Sequence, residues 1–340
     1  MLRLLKRRLI AFPIVLFGMS LMTFALTHLV PGDPARLLAG PHASAAQVAE
    51  LRHQYGFDQS LPAQYATYMG DLAHGDLGMS ITTRRPVTED IAQFFPATIE
   101  LTVAALLLVA LIGLPLGLAA GLLKGRMPDH LIRLLSISAV SMPVFWLGIV
   151  LQIIFYEKLA ILPASGRIGE LSIPPAHVTG FYVLDSLFAG DFAAFGSALA
   201  HLVLPAFTLA AGSLAVITRM TRASVVETSE ADHLRAARAK GLSNGLVIRR
   251  HVVRNALLPV TTVFGLQVGT LLAGSILTEV VFSWPGIGLY AVNAISNLDY
   301  TAIMGVTLLI SAIYLAVNLV TDLLYLLLDP RIADAQEAMA

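Results

Sequence analysis

Six apolar stretches constrain what this chain can fold into. Each is long enough to cross a lipid bilayer, because the hydrocarbon core is about 30 Å thick and a helix needs about 20 residues to span it. Only 13% of the 340 residues are charged, whereas a soluble domain carries about 25%. We therefore predict an all-α membrane protein with six transmembrane helices. The six stretches are Leu9–Val30, Ala97–Leu123, Leu134–Tyr156, Ala198–Thr218, Ala256–Phe282 and Ala302–Leu328.

The first stretch could be mistaken for a secretory signal peptide. It follows four basic residues, but its apolar run is about 22 residues, longer than the usual 7–15. It then enters Val30-Pro31-Gly32-Asp33-Pro34, which lacks the small residues of a cleavage site. We expect a retained helix.

The Lys and Arg residues predict the orientation. Sixteen of the 22 fall in segments on the side of the N-terminus, and six fall on the other side, although the loops there are longer. Cytoplasmic segments carry the excess of Lys and Arg. Both termini should be cytoplasmic.

Residues 31–96 form an outside segment too long for a plain turn. Ser44 followed by Gln47 is typical of a helix start, Ser60 and Pro62 open a second helix, and a third short helix is expected near Val87–Phe95. We predict a small extracytoplasmic helical cap. The predicted domains are therefore 1–30, the cap 31–96 and a five-helix core 97–340. The other long outside segment, 157–197, is rich in Gly and Pro and is expected to be irregular.

The cytoplasmic loop 221–255 is long in a chain whose other inside loops are short. Ser229 suits a helix N-cap, and Glu230 and Asp232 would lie in the first turn, where the helix dipole favours anions. Gly241 suits the left-handed position after the last turn. A short, well-terminated helix is expected over Ser229–Lys240. Physics alone leaves open whether it docks a partner or merely links two spans.

Two spans carry polar stripes at helical spacing. Polar groups in a bilayer face protein or water, so either stripe could line a translocation path or make hydrogen bonds between helices. The stripe in the sixth span comprises Thr307, Ser311, Tyr314, Asn318, Asp322 and Tyr325; that in the fifth comprises Gln267, Thr270, Gly274 and Thr278. The path candidates are Gln267, Thr270, Thr278, Ser311, Tyr314 and Asn318. Small residues indicate helix packing at Gly113, Gly117 and Gly121, and also at Gly265 and Gly269. Trp284 is interpreted as an interfacial anchor.

Several classes of site find no support in the sequence. There is no cysteine and no phosphate-binding loop of the Gly-x4-Gly-Lys-Ser/Thr type, and the nine His are scattered. We expect no catalytic residue, no metal site, no cofactor bound by this chain and no nucleic-acid partner.

The cytoplasmic loop also carries a recognisable signature. The run Glu230-Ala231-Asp232-His233-Leu234-Arg235-Ala236-Ala237-Arg238-Ala239-Lys240-Gly241-Leu242, with Arg254-Asn255-Ala256-Leu257-Leu258-Pro259 downstream, resembles the coupling loop of binding-protein-dependent ABC permeases. Arg235 stands where the general signature has Glu, which resembles the dipeptide/oligopeptide/nickel branch, and its dipeptide-type members most closely. Three other runs look like landmarks of that family: Leu29–Pro34, Gly75–Gly78 and Phe282–Gly288.

The resemblance implies a fold, partners and a role. It implies the ABC importer permease fold in the lipid of a bacterial inner (plasma) membrane. The implied partners are a second homologous permease subunit, two ATPase subunits that bind ATP-Mg, and an extracytoplasmic solute-binding protein. The residues of this chain that it assigns to ATPase coupling are Glu230, Ala231, Asp232, Leu234, Arg235, Ala236, Ala237, Arg238 and Gly241. The predicted function is translocation of dipeptides or short peptides. The alternatives are a nickel-chelate permease, a self-sufficient secondary transporter or channel, and a purely structural membrane subunit.

Overall fold

The computed structural model describes residues 2–29, 33–40, 42–54, 56–169 and 172–328, and these residues form helices, turns and loops with one isolated β-bridge. The helices are α1 (Leu2–Leu29), α2 (Pro34–Ala39), α3 (Ala45–Gln54), α4 (Leu61–Ala73), α5 (Val87–Leu122), α6 (Met127–Ser141), α7 (Val144–Lys158), α8 (Tyr182–Phe188), α9 (Phe192–Glu230), α10 (Asp232–Ala239), α11 (Asn244–Val281), α12 (Ile287–Ser296) and α13 (Tyr300–Leu328). The all-α prediction is confirmed for the described residues.

Candidate membrane spans match the predicted stretches in number and order. Among the described residues, five helices are long and apolar enough to cross a bilayer, and α6 with α7 makes a sixth if that bent pair is one span. Several helices are longer than predicted. The fourth span lies within a helix of 39 residues, and the third cap helix is continuous with the second span in α5.

The third predicted span is not one straight helix. Its two arms meet at an angle of 105°. The break falls at Met142-Pro143, where Met142 is extended (φ −92°, ψ 130°). Proline has no N–H to continue the ladder and disfavours a helical conformation in the residue before it, so the chain bends there.

The described chain divides into two compact units. One comprises Met1–Phe95 and Gly286–Ala316; the other comprises Pro96–Pro285 and Val317–Ala340. In the first, α1 holds the cap helix α4 through a hydrogen bond of 2.8 Å between Ser20 Oγ and Tyr65 Oη. Ser44 and Gln47 make the reciprocal hydrogen bonds of a capping box at the start of α3, as the sequence predicts.

Two buried carboxylates hold the loop 79–86 in the first unit. Asp299 accepts hydrogen bonds from Ser80 Oγ at 2.6 Å and from the Thr82 N–H at 2.9 Å. Asp90 accepts from the hydroxyls of Thr83 and Tyr290. Burial, with hydrogen bonding to the Asp90 carboxylate, raises the pKa of the Tyr290 hydroxyl well above its ordinary value. Three residues of the loop are therefore held by buried carboxylates.

In the second unit, α5 and α9 pack with almost no space between them. A Cβ on Gly117 would lie 2.5 Å from Thr221 Cβ, and a Cβ on Gly121 would lie 2.6 Å from Val225 Cβ. Only glycine permits this approach, and the predicted packing role of the glycine series is confirmed. A Cβ on Gly265 would likewise lie 3.2 Å from Thr321 Cγ2.

The described residues from 160 to 181 form no helix, as the sequence predicts, but side-chain contacts hold them in place. Arg167 forms a buried ion pair with Glu100, donates to the Gly180 carbonyl at 2.8 Å, and lies 3.8 Å above the ring of Tyr182. Asp185 is buried, which opposes its ionisation. The Thr179 hydroxyl and the N–H groups of residues 178–180 outweigh that effect and hold the pKa of its carboxyl below the ordinary value. Gly166 and Gly180 adopt positive φ in this part of the chain, and the contacts of Arg167 and Asp185 fix it.

Trp284 is not an interfacial anchor. Only 1% of its surface is exposed, and its indole N–H donates to the Ala97 carbonyl at 2.9 Å. A buried indole keeps one polar atom that needs a partner, and here the start of α5's apolar stretch supplies it. That part of the interpretation was wrong.

Candidate functional site: the coupling segment and the polar stripes

The predicted cytoplasmic helix exists but begins later than expected. α9 continues through Ser229 and Glu230, Ala231 is extended (φ −69°, ψ 142°), and α10 begins at Asp232. Ser229 is therefore not an N-cap, because the preceding span does not stop before it. The chain leaves α9 and enters α10 through a single non-helical residue.

One face of α10 is buried in the second unit. Leu234 is fully buried and Ala237 is 8% exposed. They belong to an apolar cluster with Val225 of α9, three residues of α11 (Val247, Val252 and Ala256), and Leu118 of α5 at its edge. The position of α10 is thus tied to the ends of three long helices.

The opposite face of α10 is open. Asp232, Ala236, Ala239 and Lys240 are exposed, whereas the side chains of Arg235 and Arg238 lie outside the described set. Gly241 ends the helix with φ +81° and has open space where a Cβ would stand. The predicted left-handed position at Gly241 is confirmed.

Hydrogen bonds fix the base of this segment. The exposed carboxylate of Glu230 pairs with Lys124 at 2.6 Å. Ser224 Oγ donates to the Ala256 carbonyl at 2.8 Å, which joins α9 to α11. The end of α9 is therefore held on two sides before the chain turns into α10.

The stripe of the fifth span divides into a buried and an exposed part. Gln267 is 8% exposed and accepts a hydrogen bond from Ser213 Oγ at 2.8 Å, and Thr278 is fully buried. Thr270 is exposed, and its hydroxyl donates to the Leu266 carbonyl one turn back. Within this chain, Gln267 faces α9 and Thr278 is buried, while Thr270 is exposed.

The stripe of the sixth span is mostly accessible. Ser311 and Asn318 are half-buried, and Tyr314 is 54% exposed. The hydroxyls of Thr307 and Ser311 donate to carbonyls one turn back. The side chains of Asp322 and Tyr325 lie outside the described set.

Sequence reasoning missed several hydrogen-bond and ion-pair partners in this part of the chain. It did not single out Ser213, Lys124 or the buried pair of Asp129 with Arg222. The available signal was their polarity beside apolar helices: a charge such as Asp129 at a helix start next to a span needs a partner. Within the described ranges, no three His, Asp or Glu side chains come together in a way that could hold a metal ion.

Comparisons with known proteins agree with this architecture. The family model described as binding-protein-dependent transport system inner membrane component matches residues 113–334, and the model of its N-terminal region matches residues 1–102. The chain is 48% identical over 329 residues to the probable D,D-dipeptide transport system permease protein of Escherichia coli strain K12, covering 97% of each.

Two other relatives are similar along almost their whole length. The di/tripeptide transport system permease protein of Pseudomonas aeruginosa strain UCBPP-PA14 is 46% identical, covering 98% of this chain and 99% of that protein. The glutathione transport system permease protein of Salmonella paratyphi A strain ATCC 9150 is 38% identical with the same coverage. The chain therefore belongs to the family of inner-membrane components of binding-protein-dependent transport systems.

Proposed function

We propose that this chain is a permease subunit of an ATP-binding-cassette importer and that it translocates dipeptides or short peptides delivered by an extracytoplasmic binding protein. The proposal rests on the short helix α10, which is followed by Gly241 at positive φ, has one face anchored to three long helices and has its other face open. Relatives of 48% and 46% identity are named as dipeptide and di/tripeptide permeases, which supports the substrate class.

The proposed assembly assigns each task to a different subunit. The open face of α10 docks on one ATPase subunit, ATP-Mg is bound and hydrolysed there, and this chain supplies half of the path beside a second, homologous permease. The coupling residues are those named above from Glu230 to Gly241. The path candidates remain Gln267, Thr270 and Thr278 on α11 and Ser311, Tyr314 and Asn318 on α13. The proposed domains are residues 1–30, the cap 31–96 and the core 97–340.

The proposal requires α10 in the cytoplasm and the cap outside. Single cysteines at His53→Cys and Ser243→Cys should react with an impermeant maleimide from opposite sides of sealed membrane vesicles. Both positions are exposed, and the chain has no native cysteine, so the background is low. Reaction of both from the same side would contradict the orientation.

Docking of α10 is tested at its C-terminal turn. Gly241→Val places a β-branched residue at φ +81°, a conformation that such residues rarely adopt. We expect the ATPase subunits to co-purify weakly and peptide uptake to fall by at least about tenfold, which a cost of about 1.4 kcal/mol at the interface would produce, while the chain still inserts.

Gly245→Val is the matched control. Gly245 is exposed and helical, and a Cβ there meets nothing within 4 Å, so the same substitution should be tolerated. Wild-type uptake by the Gly241→Val complex would refute the docking role of this turn.

A further inference from the structure

A second connection leads from the coupling segment to the bent helix pair. Arg222 lies on α9, three residues before Val225, which packs against α10. Its Nε and Nη2 atoms donate to Oδ1 and Oδ2 of Asp129 at 2.5 and 2.8 Å. Asp129 is the third residue of α6, the first arm of the pair that bends by 105°. One two-pronged ion pair therefore joins the end of α9 to the start of that arm.

The geometry of this pair is more restrictive than that of an ordinary surface salt bridge. Asp129 is 1% exposed and Arg222 is 22% exposed, and the Gly125 N–H also donates to Asp129 Oδ2 at 2.9 Å. A buried carboxylate that loses its cation is strongly disfavoured, and the two parallel hydrogen bonds fix the direction as well as the distance. α6 must therefore follow Arg222 when the end of α9 moves.

The second arm of the bent pair is anchored against α11 and against the middle of α9, where a Cβ on Gly148 would lie 3.4 Å from Thr208 Cγ2. Gln152 of α7 donates to the carbonyls of Ala164 and Val281, and a Cβ on Gly148 would lie 3.1 Å from Phe282 and Val281 side-chain atoms. The break at Met142-Pro143 lies between the two anchors. A displacement of the end of α9 that enters through Arg222 thus changes the angle between the arms, because the second arm is anchored at α11 and at Thr208, away from that end.

We propose that Asp129 and Arg222 are positioning residues that transmit movement of the coupling helix α10 to the bent pair α6–α7, and so to the transport path. This inference rests on the proposed coupling role of α10. The step contains no chemistry: α10 displaces the end of α9 through Val225, Arg222 carries Asp129 with it, and α6 turns about the break at residues 142–143.

The test is the number of ATP molecules hydrolysed per peptide transported. The complete complex, with its ATPases, second permease and binding protein, is reconstituted in liposomes with radiolabelled L-Ala-L-Ala and, in a parallel series, radiolabelled D-Ala-D-Ala. Arg222→Lys keeps the charge and loses one prong, and Asp129→Asn keeps the shape and loses the charge. We expect each to raise the ratio about fivefold or more, the size of a typical coupling energy between sites. The double variant should raise it no further, because both changes break one connection.

Arg126→Lys is the matched control. It is the same substitution as Arg222→Lys, at an exposed position in the turn before α6, and exposed charges contribute little. Its ratio should equal that of the wild type. If Asp129→Asn and Arg222→Lys lower uptake and hydrolysis together at an unchanged ratio, the pair is merely structural and the inference is wrong. Absence of ATP-driven uptake in the wild-type complex would instead overturn the proposed function.

Discussion

Replacing Gly117 by alanine should destabilise the second unit, although alanine is the better helix former. The new Cβ would lie 2.5 Å from Thr221 Cβ and 2.7 Å from the Thr218 carbonyl oxygen. A backbone oxygen cannot rotate away as a side chain can, so α5 and α9 must separate. Overpacking of this kind costs about 1–3 kcal/mol. We expect a lower apparent Tm of the purified complex in detergent, and less complex recovered from membranes.

Gly212→Ala is the internal comparison for that experiment. It is the same substitution in a helix of the same unit, but nothing lies within 4 Å of the new Cβ. Alanine is favoured over glycine in a helix by about 1 kcal/mol, so the Tm should be unchanged or higher. Equal Tm values for Gly117→Ala and Gly212→Ala would show that α5 and α9 are not packed as closely as described.

Loss of Arg167 should have the largest effect of any single change in the segment 157–197. Arg167→Met leaves Glu100 buried without its cation, and removal of one partner from a buried pair costs about 3–5 kcal/mol. It also removes the hydrogen bond to the Gly180 carbonyl and the contact with the Tyr182 ring. The segment should become sensitive to protease at low concentration, and the Tm should fall.

Neutralising the partner should reverse part of that loss. In Glu100→Gln with Arg167→Met, no charge remains buried, and the glutamine oxygen can still accept from the Val183 N–H, which donates to Glu100 at 2.9 Å in the wild type. The double variant should therefore have a higher Tm than Arg167→Met alone. A double variant less stable than either single variant would argue against a buried ion pair at this position.

The spans and the helix ends of the cap could be predicted because their signals are local. An apolar run of about 20 residues crosses a bilayer whatever surrounds it, and the Ser44 and Gln47 pattern caps α3 through its own side chains. The sequence predicts that a helix packs closely at Gly117 and Gly121, since a glycine every fourth residue forms a smooth groove. It does not predict that α9 is the helix that fills this groove.

The features that escaped prediction depend on tertiary contacts. The length of α9 could not be inferred at Ser229, because a serine caps a helix only if the preceding residues leave it, and here they do not. The burial of Trp284 depends on the carbonyl of Ala97, 187 residues away. Arg167 and Glu100, or Asp129 and Arg222, carry no local pattern that pairs them. The polar stripe through Gln267 gave no indication that the Ser213 hydroxyl donates a hydrogen bond to the Gln267 amide oxygen.

The central claim is that peptide binding outside is coupled through this chain to ATP hydrolysis inside. Its most direct test is ATPase activity of the reconstituted complex with its binding protein, presented in turn with L-Ala-L-Ala, D-Ala-D-Ala and a nickel–histidine chelate. We predict that at least one dipeptide stimulates hydrolysis and is taken up, and that liposomes holding this chain alone do neither. Stimulation by the nickel chelate with none by either dipeptide, or uptake by this chain alone on an ion gradient, would contradict the account.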